Sequence, residues 1–199
     1  MIIEKLNVIF IHIPKAAGHS VETELCKKIN IYDIKTMSKL NKKMYNLNYH
    51  ATYKTYFNTI QNIDKYYIFT VVRNPYTRIW SLYNYQISKN YKINNTYCNF
   101  GEYIKSENKY IGTYEKFVIF IDFIYDLYKK LCAKYDFSII TNYEKAVNDC
   151  DRYGYILFIE TQSHYLMNNQ NKININKIIK YETLNEDWKE IKEKFNIGD

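Results

Sequence analysis

LNVIFIHIPKAAGHSVE, residues 6–22, is the stretch on which the fold turns. Leu6 to Ile13 is a nearly continuous apolar run rich in β-branched residues, as in a strand covered on both faces of a parallel sheet. Pro14-Lys15-Ala16-Ala17-Gly18 interrupts it, and Val21, Leu25 and Ile29 then recur at i, i+4 and i+8, one face of a helix. Strand, tight loop, helix is the opening of a βα unit. Amides of a first helical turn have no intrahelical acceptor and point outward, so the loop is a natural anion site. Lys15 adds a full charge, Gly18 lets the backbone approach a ligand closely, and Ser20 offers a hydroxyl. The alternative is a plain connecting loop with Lys15 solvated. A nucleoside-triphosphate loop reads GxxxxGK[ST], with its Lys after a second Gly. Here Lys15 precedes the loop's only Gly, which argues against ATP with Mg²⁺.

The same physics returns in FTVVRNPYTRIWSLYNY, residues 69–85. Tyr67 to Val72 is a second buried strand, Arg73 stands at its carboxyl end, and Asn74 and Pro75 suit the cap and first turn of a helix. Arg78 and Ser81 share a face of that helix at i, i+3, with Ile79, Leu82, Tyr83 and Gln86 toward or beside the core. Arginine suits fork-like phosphate recognition. Two anion sites at neighbouring βα junctions fit a nucleotide phosphorylated at both its 5′ and 3′ ends.

Further along, residues 90–111 read as loop. Tyr114 to Lys134 reads as a long helix with Phe117, Ile121, Ile124, Tyr128 and Leu131 toward a core. Lys177 to Tyr181 reads as a third buried strand, and Glu182 to Phe195 as a closing amphipathic helix carrying Leu184, Trp188, Ile191 and Phe195. No internal repeat or linker is visible. The expected fold is α/β: one P-loop-like domain over residues 1–199, with a central, mainly parallel β-sheet flanked by helices.

Composition bounds the partners. The 199 residues are 47% hydrophobic and 25% charged, ordinary for one globular domain. Twenty-three Tyr against 5 Gly and 2 Pro, with many Ile, Lys and Asn, suggest AT-rich coding drift, so Tyr and Asn receive no functional weight. The formal charge of +7 fits a solvated basic surface or attraction to an anionic ligand. Nucleic acid is not expected, because no Lys/Arg-dense stretch with regular aromatic spacing occurs. Cys26, Cys98, Cys132 and Cys150 form neither a zinc pattern nor a disulfide framework, and free thiols in a reducing compartment follow. The N-terminal apolar run is too short to cross a membrane and lacks a signal-peptide pattern. A cytoplasmic protein with no transmembrane segment is expected.

FIHIPKAAGHSVE (10–22) resembles the 5′-phosphosulfate loop of the sulfotransferase superfamily, especially its carbohydrate branch, Golgi-type or bacterial-like, where the pattern is close to FIHIPKTAGTS. VVRNPYTRIWSLY (71–83) resembles that family's 3′-phosphate motif. His50-Ala51-Thr52 in NYHATY is similar to the HAT or HxxY segment between the two. TQSHYL (161–166) and IIKYETLNEDWKEI (178–191) resemble its C-terminal segments, and order and spacing agree as well. Residues 90–155 match no segment of the family. The resemblance implies 3′-phosphoadenosine-5′-phosphosulfate as donor, a hydroxyl acceptor on a carbohydrate, and no metal. It also implies that loop residues Lys15, Ala16, Ala17, Gly18, His19 and Ser20 hold the 5′-phosphosulfate, with Lys15 also catalytic. Arg73 and Ser81 would hold the 3′-phosphate, and His50 would occupy the general-base position. Ala16 stands where the family commonly has Thr or Ser, His19 where it has Thr, and Lys180 where it has Arg, which keeps the charge but loses the fork.

The chemistry suits these residues. A transferred sulfuryl group carries less negative charge than a phosphoryl group, so helix amides and one Lys can balance it. The attacking hydroxyl must lose a proton, a task for a neutral imidazole. Of the four histidines, His12 lies within a strand and reads as structural, His19 as a loop contact, and His164 as peripheral. His50 is the expected base, with Glu22 and Glu24 as weaker rivals. A nucleotide kinase is disfavoured by the absent GK[ST], and a non-catalytic binding protein stays open. Sugar, tyrosine and small-molecule acceptors all remain compatible with the sequence.

Overall fold

The structure is a computed structural model that describes residues 1–31, 33–88, 117–122, 125–126, 129 and 161–198. The chain divides into two compact units, Met1–Asn74 with Thr161–Asp199, and Pro75–Glu160. The first holds, in chain order, β1 (Ile2–Ile3), β2 (Val8–Ile11), α1 (Gly18–Lys28), α2 (Ile34–Tyr45), α3 (Tyr53–Thr59) and β3 (Tyr67–Val72). The second begins with α4 (Pro75–Ser88). The chain then re-enters the first unit as α5 (Gln162–Leu166), β4 (Lys177–Lys180) and α6 (Leu184–Phe195).

The sheet runs β1-β2-β3-β4 among the described residues. β2 pairs parallel with β3 (Ile9 to Ile68, Phe10 to Phe69), and β3 parallel with β4 (Val71 to Ile179), while β1 joins antiparallel at the β2 side. Alternation along the strands sends side chains to two covered faces. Ile9, Ile11 and Ile68 meet Tyr53 and Tyr56 of α3 and Tyr165 and Leu166 of α5 on one face. Val8, Phe10, Phe69 and Val71 meet Val21 and Leu25 of α1, Met37 of α2 and Ile191 of α6 on the other. The first unit is thus helix, sheet, helix, and the apolar β2 and β3 sequences follow from burial on both sides.

Some expectations change. β2 is shorter than the run from Leu6 to Ile13, because Leu6 belongs to a 3₁₀ turn that Asn7 closes in the left-handed region. β4 is not buried on both faces: Ile179 is covered, but Ile178 across the sheet is 41% exposed. α2 was not foreseen, since its inward stripe is interrupted by the buried Asn41. That side chain accepts from Ile2 N–H (2.6 Å) and donates to Ile2 O (3.1 Å), completing the short strand β1. In the second unit, residues 117–122 are helical as expected. Phe117 packs on Trp80 and Tyr83, but Phe120 rather than Ile121 is the buried neighbour. One residue turns a helix by about 100°, enough to carry Ile121 off that face. Ile124, Tyr128, Leu131 and the expected loop at 90–111 lie outside the described residues.

Asparagine also has a structural task that composition did not suggest. Among the described residues, eight non-glycine positions have positive φ: Asn7, Asn30, Asn46, Asn62, Asn171, Asn196, Lys15 and Ala17. Asn tolerates the left-handed region through its short polar side chain, so in this glycine-poor chain it closes turns and helix ends. Lys15 and Ala17 have no such excuse, and both lie in the loop between β2 and α1.

Candidate active site: the donor loop and the His12–His50 cluster

Lys15 (φ 64°) and Ala17 (φ 62°) place two L-residues, separated by Ala16, in the left-handed region, at a cost of roughly 1–2 kcal/mol each. Strain of this kind persists where the surrounding structure holds it and clusters at ligand sites. Its effect is to turn the chain sharply from β2 into α1. Ala16 points its methyl into the core, 1% exposed, and its amide closes a turn on Ile13 O at 3.3 Å. Neither is directed at a ligand. By contrast, among the described residues the amides of Ala17, Gly18 and His19 donate to no protein acceptor. They are the orphan donors of a helix start, the partial positive end of α1. His19 and Ser20 are exposed on that first turn.

Gly18 has a role of its own. It is not in the left-handed region, yet a Cβ there would lie 2.3 Å from Cδ2 and Nε2 of His12. The imidazole of His12 occupies the space a side chain would need, so glycine is required by close packing beneath the loop.

His12 belongs to a buried group. Its Nδ1 lies 3.0 Å from Oε2 of Glu22, but off the line of the N–H, so the contact is electrostatic and not a formed hydrogen bond. Glu22 is fully buried and accepts the hydroxyl proton of Tyr49. Burial, then the Glu22 charge, push the Tyr49 hydroxyl well above the ordinary tyrosine range, so it stays protonated and donates. His12, Tyr49 and His50 meet edge to face, with ring centroids 4.6 to 4.8 Å apart. Nδ1 of His50 lies 3.2 Å from His12 O. A carbonyl only accepts, so Nδ1 carries the proton and Nε2 is the lone-pair nitrogen. Burial, followed by the charge of His12, lowers His50 to about 3. Its side chain is still partly open to solvent, which tempers that push without changing its direction. At neutral pH His50 is an uncharged imidazole able to accept a proton.

Arg73 follows β3. Its guanidinium donates to Lys15 O at 3.4 Å and sits over the Tyr181 ring at 4.2 Å from the centroid. Burial first, and then Arg73, pull Lys15 below the ordinary lysine range. Two cations held this near each other mark a place suited to an anion. The backbone of Arg73 is held by Gln162, which accepts from its N–H (2.8 Å) and donates to its carbonyl (2.7 Å). Glu182 accepts from Asn74 N–H at 2.8 Å.

The structure therefore brings Lys15, Ala17, Gly18, His19, Ser20, His50 and Arg73 into one unit. Ser81 and the buried Arg78 lie on α4, which the chain enters at Pro75, in the second unit. Glu24 is a surface residue paired with Lys27. Glu22 is buried and cannot meet an acceptor, so neither is placed as a base. Residue-level reading missed Gln162, Tyr49 and Tyr181. All three lie in segments quoted for the resemblance, TQSHYL, NYHATY and IIKYETL, which is the one signal that marked them.

An α/β unit whose strand-to-helix loop offers orphan amides and a lysine, with an arginine at the end of the adjacent strand, defines the P-loop-like group-transfer class. A family model described as "Sulfotransferase family" matches residues 1–199, and the chain belongs to that family, whose members transfer sulfuryl groups. No curated protein and no solved structure matches it significantly. Among the described residues no helix is long and apolar enough to cross a membrane, and no group of His, Cys, Asp and Glu is arranged to hold a metal ion.

Proposed function

We propose that this chain transfers a sulfuryl group from 3′-phosphoadenosine-5′-phosphosulfate to a hydroxyl on a carbohydrate, in the cytoplasm. The observation that carries the reading is the strained loop: left-handed Lys15 and Ala17, three orphan amides, and Arg73 tied to the carbonyl of Lys15. In this reading Lys15 and the α1 amides hold the 5′-phosphosulfate, while Arg73 holds the 3′-phosphate. The acceptor oxygen attacks sulfur in line as Nε2 of His50 takes its proton. The new O–S bond forms while the bond from sulfur to the bridging phosphate oxygen breaks, and 3′,5′-adenosine bisphosphate leaves with the bonding pair. Lys15 and the amides balance the charge growing on that leaving phosphate. The carbohydrate acceptor rests on the resemblance and on the net charge of +7, which suits an anionic glycan. The cytoplasmic placement rests on four scattered cysteines with no pairing pattern.

Calorimetry with 3′,5′-adenosine bisphosphate and with ATP, each with and without EDTA, tests the donor. Tighter, EDTA-insensitive binding of the bisphosphate is expected, and tighter Mg²⁺-dependent ATP binding would overturn the reading. Turnover of radiolabelled donor across a glycan panel tests the transfer. Bisphosphate binding without turnover on any hydroxyl would leave a nucleotide-binding protein instead of an enzyme.

A further inference from the structure

β3 pairs with β4 as far as Val72 and Lys180, and there the ladder ends. Arg73, one residue on, would leave its N–H and C=O without a strand partner. A single side chain supplies both: Gln162 of α5 accepts at 2.8 Å and donates at 2.7 Å, although the partners are 89 positions apart in the chain. An amide side chain carries one acceptor and one donor group at the separation a neighbouring strand would present, so Gln162 acts as one added rung of the sheet. Beyond the backbone, the guanidinium is set between the carbonyl of Lys15 and the face of Tyr181. Tyr181 follows directly on β4 and is 38% exposed.

We propose that Gln162 and Tyr181 are positioning residues for Arg73 and thereby determine how strongly the protein prefers a 3′-phosphorylated nucleotide over a plain one. This rests on the donor reading above, in which Arg73 meets the 3′-phosphate. Arginine is a flexible side chain, and a phosphate contact is strong only when the planar fork is already oriented. Gln162 fixes where the side chain starts, and Tyr181 fixes the plane in which it ends. The 5′-phosphate is held by the α1 amides and Lys15, and neither Gln162 nor Tyr181 is among those groups. Damage to the pair therefore changes a ratio of affinities.

The test is calorimetric titration of wild type, Gln162→Leu, Tyr181→Leu and Tyr181→Phe with 3′,5′-adenosine bisphosphate and with AMP. Loss of one or two hydrogen bonds or of a partly exposed cation–π contact corresponds to about 3–20-fold. Gln162→Leu and Tyr181→Leu should each lower the bisphosphate-to-AMP preference by that factor. Tyr181→Phe, which keeps the ring, should retain the wild-type ratio. A merely structural role would weaken both nucleotides equally, because it lowers the folded fraction both require, and an unchanged ratio overturns the proposal. Tyr181 lies at the surface, so its two variants decide the matter even where Gln162→Leu fails to fold. A wild type with no bisphosphate preference overturns the donor reading itself. A wild-type preference that survives both leucine substitutions overturns this inference alone.

Discussion

Gly18→Ala tests the packing beneath the donor loop most directly. A methyl at Gly18 would stand 2.3 Å from Cδ2 and Nε2 of His12, more than 1 Å inside an ordinary carbon contact of about 3.5–4.0 Å. His12 has little room to yield. It is 6% exposed, its Nδ1 faces the buried Glu22 carboxylate, and Tyr49 and His50 abut its ring at 4.6 Å. Overpacking of such a site costs about 1–3 kcal/mol, and the rigidity here argues for the upper half of that range. For a chain of this size about 2–3 kcal/mol lowers Tm by roughly 4–12 °C. Without the clash the sign reverses, because Gly18 opens α1 with an ordinary backbone and Ala there is neutral to slightly favourable. Thermal unfolding of Gly18→Ala, His12→Ala and the double variant measures both. The Gly18→Ala penalty should vanish in the His12→Ala background. A penalty of similar size in both backgrounds would refute the packing argument. A cost below about 0.5 kcal/mol in wild type would refute it too, since surface-like tolerance is of that order.

Other predictions follow from the same site. Arg73→Ala should weaken 3′,5′-adenosine bisphosphate by about 30–150-fold, the worth of roughly 2–3 kcal/mol for a charged contact. AMP should be nearly unaffected in the same titration, and equal losses would show that Arg73 supports the fold. His50→Ala should leave bisphosphate affinity nearly unchanged while cutting turnover by about 10²–10⁴; retention of more than about a third of turnover would place the base elsewhere. The lowered pKa of His50 also has a stability signature. Between about 3 in the folded chain and about 6.5 unfolded, the unfolded state binds the extra proton, so stability is full above pH 6.5 and declines as pH falls through that window. Urea midpoints should drop from pH 7 to pH 5 in wild type and drop less in His50→Ala; parallel pH profiles would rule the assignment out. Adjacent alanines should respond with opposite signs. Ala17→Gly relieves a left-handed residue and should gain about 0.5 kcal/mol, whereas Ala16→Gly removes a buried methyl and should lose about 1 kcal/mol. Urea melts that move both the same way would contradict the loop geometry.

The sequence alone carried what local pattern and chemistry encode. β-branched runs broken by Pro14 and by Asn74-Pro75 marked two strand-to-helix junctions, and both junctions exist. Lys15 and Arg73 stood out because a charge at the carboxyl end of a buried strand needs an anion or solvent. The quoted motifs carried the family, which matches over residues 1–199. What the tertiary structure decided depends on residues far apart in the chain. His12 lies inside an apolar run and reads as filler, yet it meets Glu22 from α1 and Tyr49 and His50 from the stretch before α3, and sets the tautomer of His50 through its carbonyl. Gly18 also leaves the space that the His12 ring fills, and the methyl of Ala16 turns to the core, packing tasks that the loop's own sequence does not announce. β4 read as fully buried because its apolar pair is the same whether one face or two are covered; only the neighbouring layers distinguish them, and they leave Ile178 open. Gln162 could not be read at all, because nothing in a glutamine's neighbours announces that it will complete a backbone 89 residues away. Periodicities of 2 and 3.6 specify which face of an element is apolar, but the partner that face will meet is settled only when the layers pack.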